Sequence, residues 1–125
     1  MSEARIFVGV LRMVWSLPGA RTLKDRRQSV NSLRDRLRHK FPVTFAEVGV
    51  GNRPTRQVVV LTMAGNDGAL IRNIFDKIVG FVSVSGRVVL SGVDVDVFRW
   101  HPEDPTWAVP EPTFPRHWPE DESDE

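Results

Sequence analysis

The chain has 125 residues, 41% of them hydrophobic and 26% charged, which suffices for one domain with a real core and is too short for two. It contains no cysteine, so disulfides, thiolate metal sites and thiol catalysis are excluded, and His39, His101 and His117 follow no zinc-ligand spacing. The formal charge of +1 conceals an uneven distribution: residues 1–100 hold 16 Lys/Arg against 8 Asp/Glu, and residues 101–125 hold one Arg against 8 Asp/Glu.

Residues 5–16 are apolar and alternating, with Phe7, Leu11, Met13 and Trp15 on one face and Ile6, Val8, Val10 and Val14 on the other, a pattern that predicts a central strand. Pro18-Gly19 then turns the chain, and Thr22 stands where a cap is needed for a helix over 23–40. Leu23, Val30, Leu33, Leu37 and Phe41 mark the expected buried stripe of that helix. Residues 43–49 and 57–64 read as two strands of a hairpin, joined through Gly51-Asn52-Arg53-Pro54. Asn66 or Asp67 caps a second helix that buries Leu70, Ile71, Ile74, Phe75, Ile78 and Val82, with Gly80 weakening its last turn by about 1 kcal/mol relative to Ala. In residues 87–100, Val89, Val93, Val95 and Val97 alternate with Asp94, Asp96 and Phe98 as a fourth strand, and Gly92 marks a bulge.

The order βαββαβ predicts an α+β, ferredoxin-like sandwich: a four-stranded, mostly antiparallel sheet with both helices on one face. The domain is expected over residues 1–100. Residues 101–125 form a Pro-rich, acidic C-terminal tail, since they hold six of the nine prolines, and repeated loss of backbone donors disfavours helix and central strand. The opposite sheet face, with Ile6, Val8 and Val10, is too apolar to stand uncovered. A homodimer through this open face is the expected solution, and a tail docked through Trp107, Phe114 and Trp118 is the competing one.

The clearest chemical feature is the first helix. From Arg21 to Lys40 there are eight Lys/Arg against Asp25 and Asp35. At about 100° per residue, Lys24, Arg27, Asn31, Arg34 and Arg38 cluster beside the apolar stripe. Together with Arg21 they form a candidate RNA-binding stripe, because guanidinium forks and ammonium charges suit phosphate oxygens. The plain alternative is the solvated side of an amphipathic helix. Gly19, Arg21, Thr22 and Lys24 at the helix entry are candidate anion-binding residues, the alternative being a tight turn with a Thr22 cap.

Other constellations are weaker. Asp67 with Asn66 suits a helix cap better than a calcium loop. Glu47, Asp94 and Asp96 are read as sharing a strand face, where pairing with Arg12 or Arg99 is the simpler use than a divalent ion. Ser16, Ser29, Ser32, Ser83, Ser85, Ser91 and Ser123 bring no legible His–acid partner, so no catalytic residue, metal site or cofactor is expected and enzyme activity is disfavoured. No apolar run approaches the roughly 20 residues that cross a bilayer, and the N-terminus has no secretory pattern. A cytoplasmic protein is expected. Glu120–Glu125 raise the further expectation of an acidic end that folds over the basic helix and competes with RNA.

Several segments together resemble the small bacterial YlxP-like family, a domain of unknown function, over roughly residues 4–99. The sharpest are Pro18-Gly19-Ala20-Arg21-Thr22-Leu23-Lys24-Asp25-Arg26-Arg27, Asp35-Arg36-Leu37-Arg38, Ala46-Glu47-Val48-Gly49, and Asn66-Asp67 at the start of the second helix. The resemblance implies a ferredoxin-like fold and a gene setting beside translation-initiation and ribosome-maturation factors. It raises ribosomal RNA or a ribonucleoprotein above other partners and supplies no catalytic residues. This chain departs from the family at Gly51-Asn52-Arg53-Pro54-Thr55-Arg56 and in its long acidic tail.

Overall fold

The computed structural model describes residues 5–49 and 53–101. The elements follow in the expected order: β1 (Phe7–Ser16), α1 (Leu23–Lys40), β2 (Thr44–Val48), β3 (Arg56–Gly65), α2 (Gly68–Ser83) and β4 (Val89–Arg99). They form one four-stranded sheet of order β2-β3-β1-β4, and every strand pairing is antiparallel. Both helices pack on the same side of the sheet, which is the ferredoxin-like arrangement.

Local chemistry sets the element ends. Thr22 has extended backbone and opens α1 with a capping box: its hydroxyl accepts the Asp25 amide at 3.0 Å, while the Asp25 carboxylate accepts the amides of Arg21 and Thr22. Arg38, His39 and Lys40 fill the last turn, where cations meet the negative end of the helix dipole. Asp67 caps α2 by accepting the amides of Ala69 and Leu70 at 3.0 and 3.2 Å.

Alternation along β1 decides the sidedness of the whole sheet. Leu11, Met13 and Trp15 face the helices and are fully buried, and cross-strand register places Val59, Leu61 and Val97 on that same side. Val30, Leu33 and Leu37 from α1 and Ile71, Phe75, Ile78 and Val82 from α2 close the core. The closest approach is at Gly9, where a Cβ would stand 2.4 Å from Ile71 Cγ2 and 2.7 Å from the Phe75 ring. Only a residue without a side chain lets α2 seat this deeply.

Trp15 has a tilted contact with Phe45, ring centres 5.9 Å apart. Its Nε1 is the one buried side-chain polar atom without a partner among the described residues. Such an orphan donor costs about 1–3 kcal/mol, which the burial of the large indole has to exceed. Gln57, directly opposite in β3, is buried but satisfied, its Nε2 donating to the carbonyls of Val48 and Val58.

Three expectations need correction. Leu23 is 39% exposed and Leu70 is 52% exposed: Leu23 is the first helical residue, ahead of the first buried position at Val30, and Leu70 stands about 100° around the helix from the buried Ile71. Glu47 does not share a face with Asp94 and Asp96. It lies on the helix side of β2, whereas the two aspartates lie on the opposite side of β4 at the other edge. The bulge at Gly92 is present, as a register shift opposite Val14/Trp15, and it turns Val89 onto the open side. The tail expectations fall outside the described residues, and no described helix is long and apolar enough to cross a membrane.

Candidate nucleic-acid interface

The seven cations inside α1 divide between its two flanks and its sheet-facing side. Arg36 and Lys40 turn toward α2, where the Arg36 guanidinium lies 5.3 Å from the Phe81 ring centre and the Lys40 ammonium 5.7 Å from it and 5.9 Å from that of Phe41. These are cation–π contacts that also cover the Phe41–Phe81 edge pair. Arg26 points the other way, to the carbonyls of Arg53 and Arg56, and so ties the helix to the β2–β3 connection.

The opposite flank carries the residues singled out from the sequence. Lys24, Arg27 and Arg38 are exposed and form no ion pair within the described chain, and Arg21 is exposed just ahead of the helix. Arg34 is half-buried, donating from Nη1 to Asn31 Oδ1 at 3.2 Å and from Nε to Asp35 Oδ1 at 3.0 Å. The helical period therefore places Lys24, Arg27, Arg34 and Arg38 on one side of α1, with Arg34 anchored and the other three open to solvent, and Arg21 stands just ahead of them.

At the helix entry the picture differs. Gly19, Arg21, Thr22 and Lys24 are all exposed, yet the amides of Arg21 and Thr22 are already taken by the Asp25 carboxylate. Those two hydrogen bonds, Arg21 first, hold the Asp25 carboxyl below its ordinary value despite partial desolvation. The chain thus supplies its own anion where an external phosphate would otherwise bind. Lys24 remains available as a charge, and the backbone nest does not.

The two faces of the molecule contrast in charge. On the open sheet face, alternation places Arg12 and Arg56 against Asp94 and Asp96, so its formal charge is zero. Arg12 and Asp94 form an ion pair of 2.6 Å across β1 and β4. Around them Val8, Val10 and Val60 are half-buried and Val14 and Val58 are buried, with Phe98 41% exposed, Trp100 44% and Val48 44%. The aromatic side chains of this face sit on and beyond edge strand β4 and not on the central strands, where base-stacking rings of RNA-binding sheets stand.

Sequence inspection located the exposed stripe but not what occupies Arg26, Arg36 and Lys40, the helix cations outside it. Their partners, Phe81 and the carbonyls of Arg53 and Arg56, are distant in sequence and meet them only through packing. A recess of about 750 Å³ at the start of α2 gathers Arg5 and Arg72 beside Phe7, Asp67 and Val97. Among the described residues no group of three or more His, Cys, Asp or Glu is placed to hold a metal ion.

Fold and charge distribution define a small ferredoxin-like α+β domain with a cationic helix layer. Residues 8–95 match the family described as protein of unknown function, DUF503, and the chain belongs to that family. No protein of curated function matches it. Among solved structures it is similar to the de novo designed protein Foldit4, at 11% identity and a TM-score of 0.43, covering 78% of this chain and 98% of that one.

Proposed function

We propose that this protein is a noncatalytic, cytoplasmic accessory factor that associates with ribosomal RNA or a ribonucleoprotein through the outer flank of α1. The observation that carries this reading is the sidedness of charge: Lys24, Arg27, Arg34 and Arg38 share one helix side with Arg21 just ahead of them, while the open sheet face is formally neutral. Side chains repeating along one helix flank suit successive backbone phosphates, which position a protein on folded RNA without selecting a sequence. The expected signature is affinity that falls steeply with salt, as bound phosphates release counterions.

Crosslinking of the untagged protein in cells, followed by identification of bound RNA and protein, tests this. Ribosomal RNA should be recovered with the wild type and lost with Arg27→Glu/Arg38→Glu, which reverses two exposed charges that form no ion pair among the described residues. In titrations each lost phosphate contact should lower the salt slope by about 1.

The apolar open face favours a second element of the reading: a copy of the same chain covers it, because contiguous exposed apolar surface marks association. A dimeric protein-interaction module without RNA is the competing function, and selective recovery of protein without RNA would establish it over the first.

A further inference from the structure

We propose that the recess at the start of α2 is the docking site of the chain's own C-terminal segment, with Glu103 and Asp104 as the side chains it receives. This stands apart from the RNA reading of α1 and does not rest on it. The recess, of about 750 Å³, has Phe7 and Val97 as its apolar wall and Arg5 and Arg72 at its sides. Strand register sets Arg99 opposite Phe7, on the same side of the sheet, so three guanidiniums gather at one corner. None of them has an ion-pair partner among the described residues, and the bond from Arg72 Nη2 to the Val97 carbonyl is long at 3.5 Å. The carboxylate of the recess, Asp67, is committed to the amides of Ala69 and Leu70. Because Asp67 holds those helix-start amides, what the corner offers an anion is its arginines.

Two features of the chain single out the occupant. The first is where β4 ends. The Trp100 amide donates to the Ile6 carbonyl at 2.7 Å, so the chain leaves the sheet beside Arg5. Glu103 follows three residues later, within roughly 10 Å of extended backbone. Closing so short a connection costs little entropy and keeps the carboxylates at high effective concentration.

The second feature is charge. Residues 102–125 carry eight Asp/Glu and one Arg. Charge also decides the side of the sheet: toward its end β4 presents Asp96 on the open side, with no ion pair among the described residues, and Arg99 on the helix side. An acidic segment is repelled from the first side and drawn to the second. There α2 packs on β4 and β1 while α1 packs on β2 and β3, so the two carboxylates engage the half of the helix layer that does not hold the α1 stripe.

The test is limited proteolysis of the full-length protein with a glutamate-specific protease. The rate is read at the Glu103–Asp104 bond and normalised to the Glu120–Asp121 bond of the same chain. At low salt Arg72→Gln and, independently, Arg5→Gln, both at exposed positions, should each speed cleavage of the first bond roughly two- to fivefold, the worth of one exposed ion pair. Lys77→Gln, at an exposed cation of α2 outside the recess, should leave it unchanged. Sodium chloride at about 0.5 M should bring wild type and variants to one rate by screening.

Equal rates in wild type, Arg72→Gln and Arg5→Gln at low salt would overturn the proposal. Equal acceleration by Lys77→Gln would overturn it too, reducing the effect to net charge. Inorganic phosphate that shifts the amide signals of Gly68 and Ala69, while all cleavage rates stay equal, would assign the recess to an external anion in place of the C-terminal segment.

Discussion

The two sides of the sheet are built from the same alternating strands and solve opposite problems. On the helix side every large side chain of β1 finds a partner, and Gly9 is cut back to nothing so that Ile71 and Phe75 can approach. On the open side the same strand presents Val8, Val10 and Arg12 to a surface with no covering element among the described residues. Charge follows the same division, with a cationic helix layer and a balanced sheet face. Close packing belongs to the helix face, and charge balance to the open one.

The largest effect that would sharpen this contrast is truncation of the α2 anchor. Phe75→Ala should cost about 3–5 kcal/mol in urea unfolding, since the ring is fully buried between helix and sheet. Phe98→Ala, measured in dilute protein, should cost below about 1 kcal/mol, because that ring is partly exposed on the open side. Equal losses would break the distinction.

The glycines test it more finely. Gly9→Ala puts a methyl 2.4 Å from Ile71 Cγ2 and should destabilise by about 1–3 kcal/mol through overpacking. Gly92, on the open side of β4, would place its Cβ 3.1 Å from Val14 Cγ2, a side-chain tip that can yield, so Gly92→Ala should cost clearly less in the same assay.

The smallest expected effect concerns the start of α1. Thr22→Ala removes the acceptor of the Asp25 amide and should cost about 1 kcal/mol. Asp25 adds a pH dependence of known sign. Its carboxyl is held below the ordinary value, so its contribution is complete above the unfolded carboxylate range and is lost as pH falls through the depressed folded value. Thermal unfolding should show this acid loss in wild type and a weaker one in Asp25→Asn.

Most of the architecture was legible because local signals agreed with one another. Thr22 and Asp67 caps, the apolar, partly alternating run of β1 and the 3.6-residue period of α2 each point to the observed element. The first helix is bounded by residues 23–40 in both sequence pattern and structure. The misplaced residues share one cause, since Leu23, Leu70 and Glu47 depend on where an element ends or which sheet edge it occupies. The stripe of Lys24, Arg27, Arg34 and Arg38 followed from helical period alone. The neutrality of the open face did not, because it requires the register of β1 against both neighbours.

Arg26 adds a consequence for how this small body responds to load. In the chain it is one cation among many, but its guanidinium grips the carbonyls on which the β2–β3 connection turns. A ligand held at the neighbouring Arg27 therefore sits one residue from a side chain whose Nη1 bridges two carbonyls of that connection. Lysine at position 26 would keep the charge while replacing the planar guanidinium that bridges the two carbonyls, loosening helix from hairpin while the electrostatic surface stayed the same.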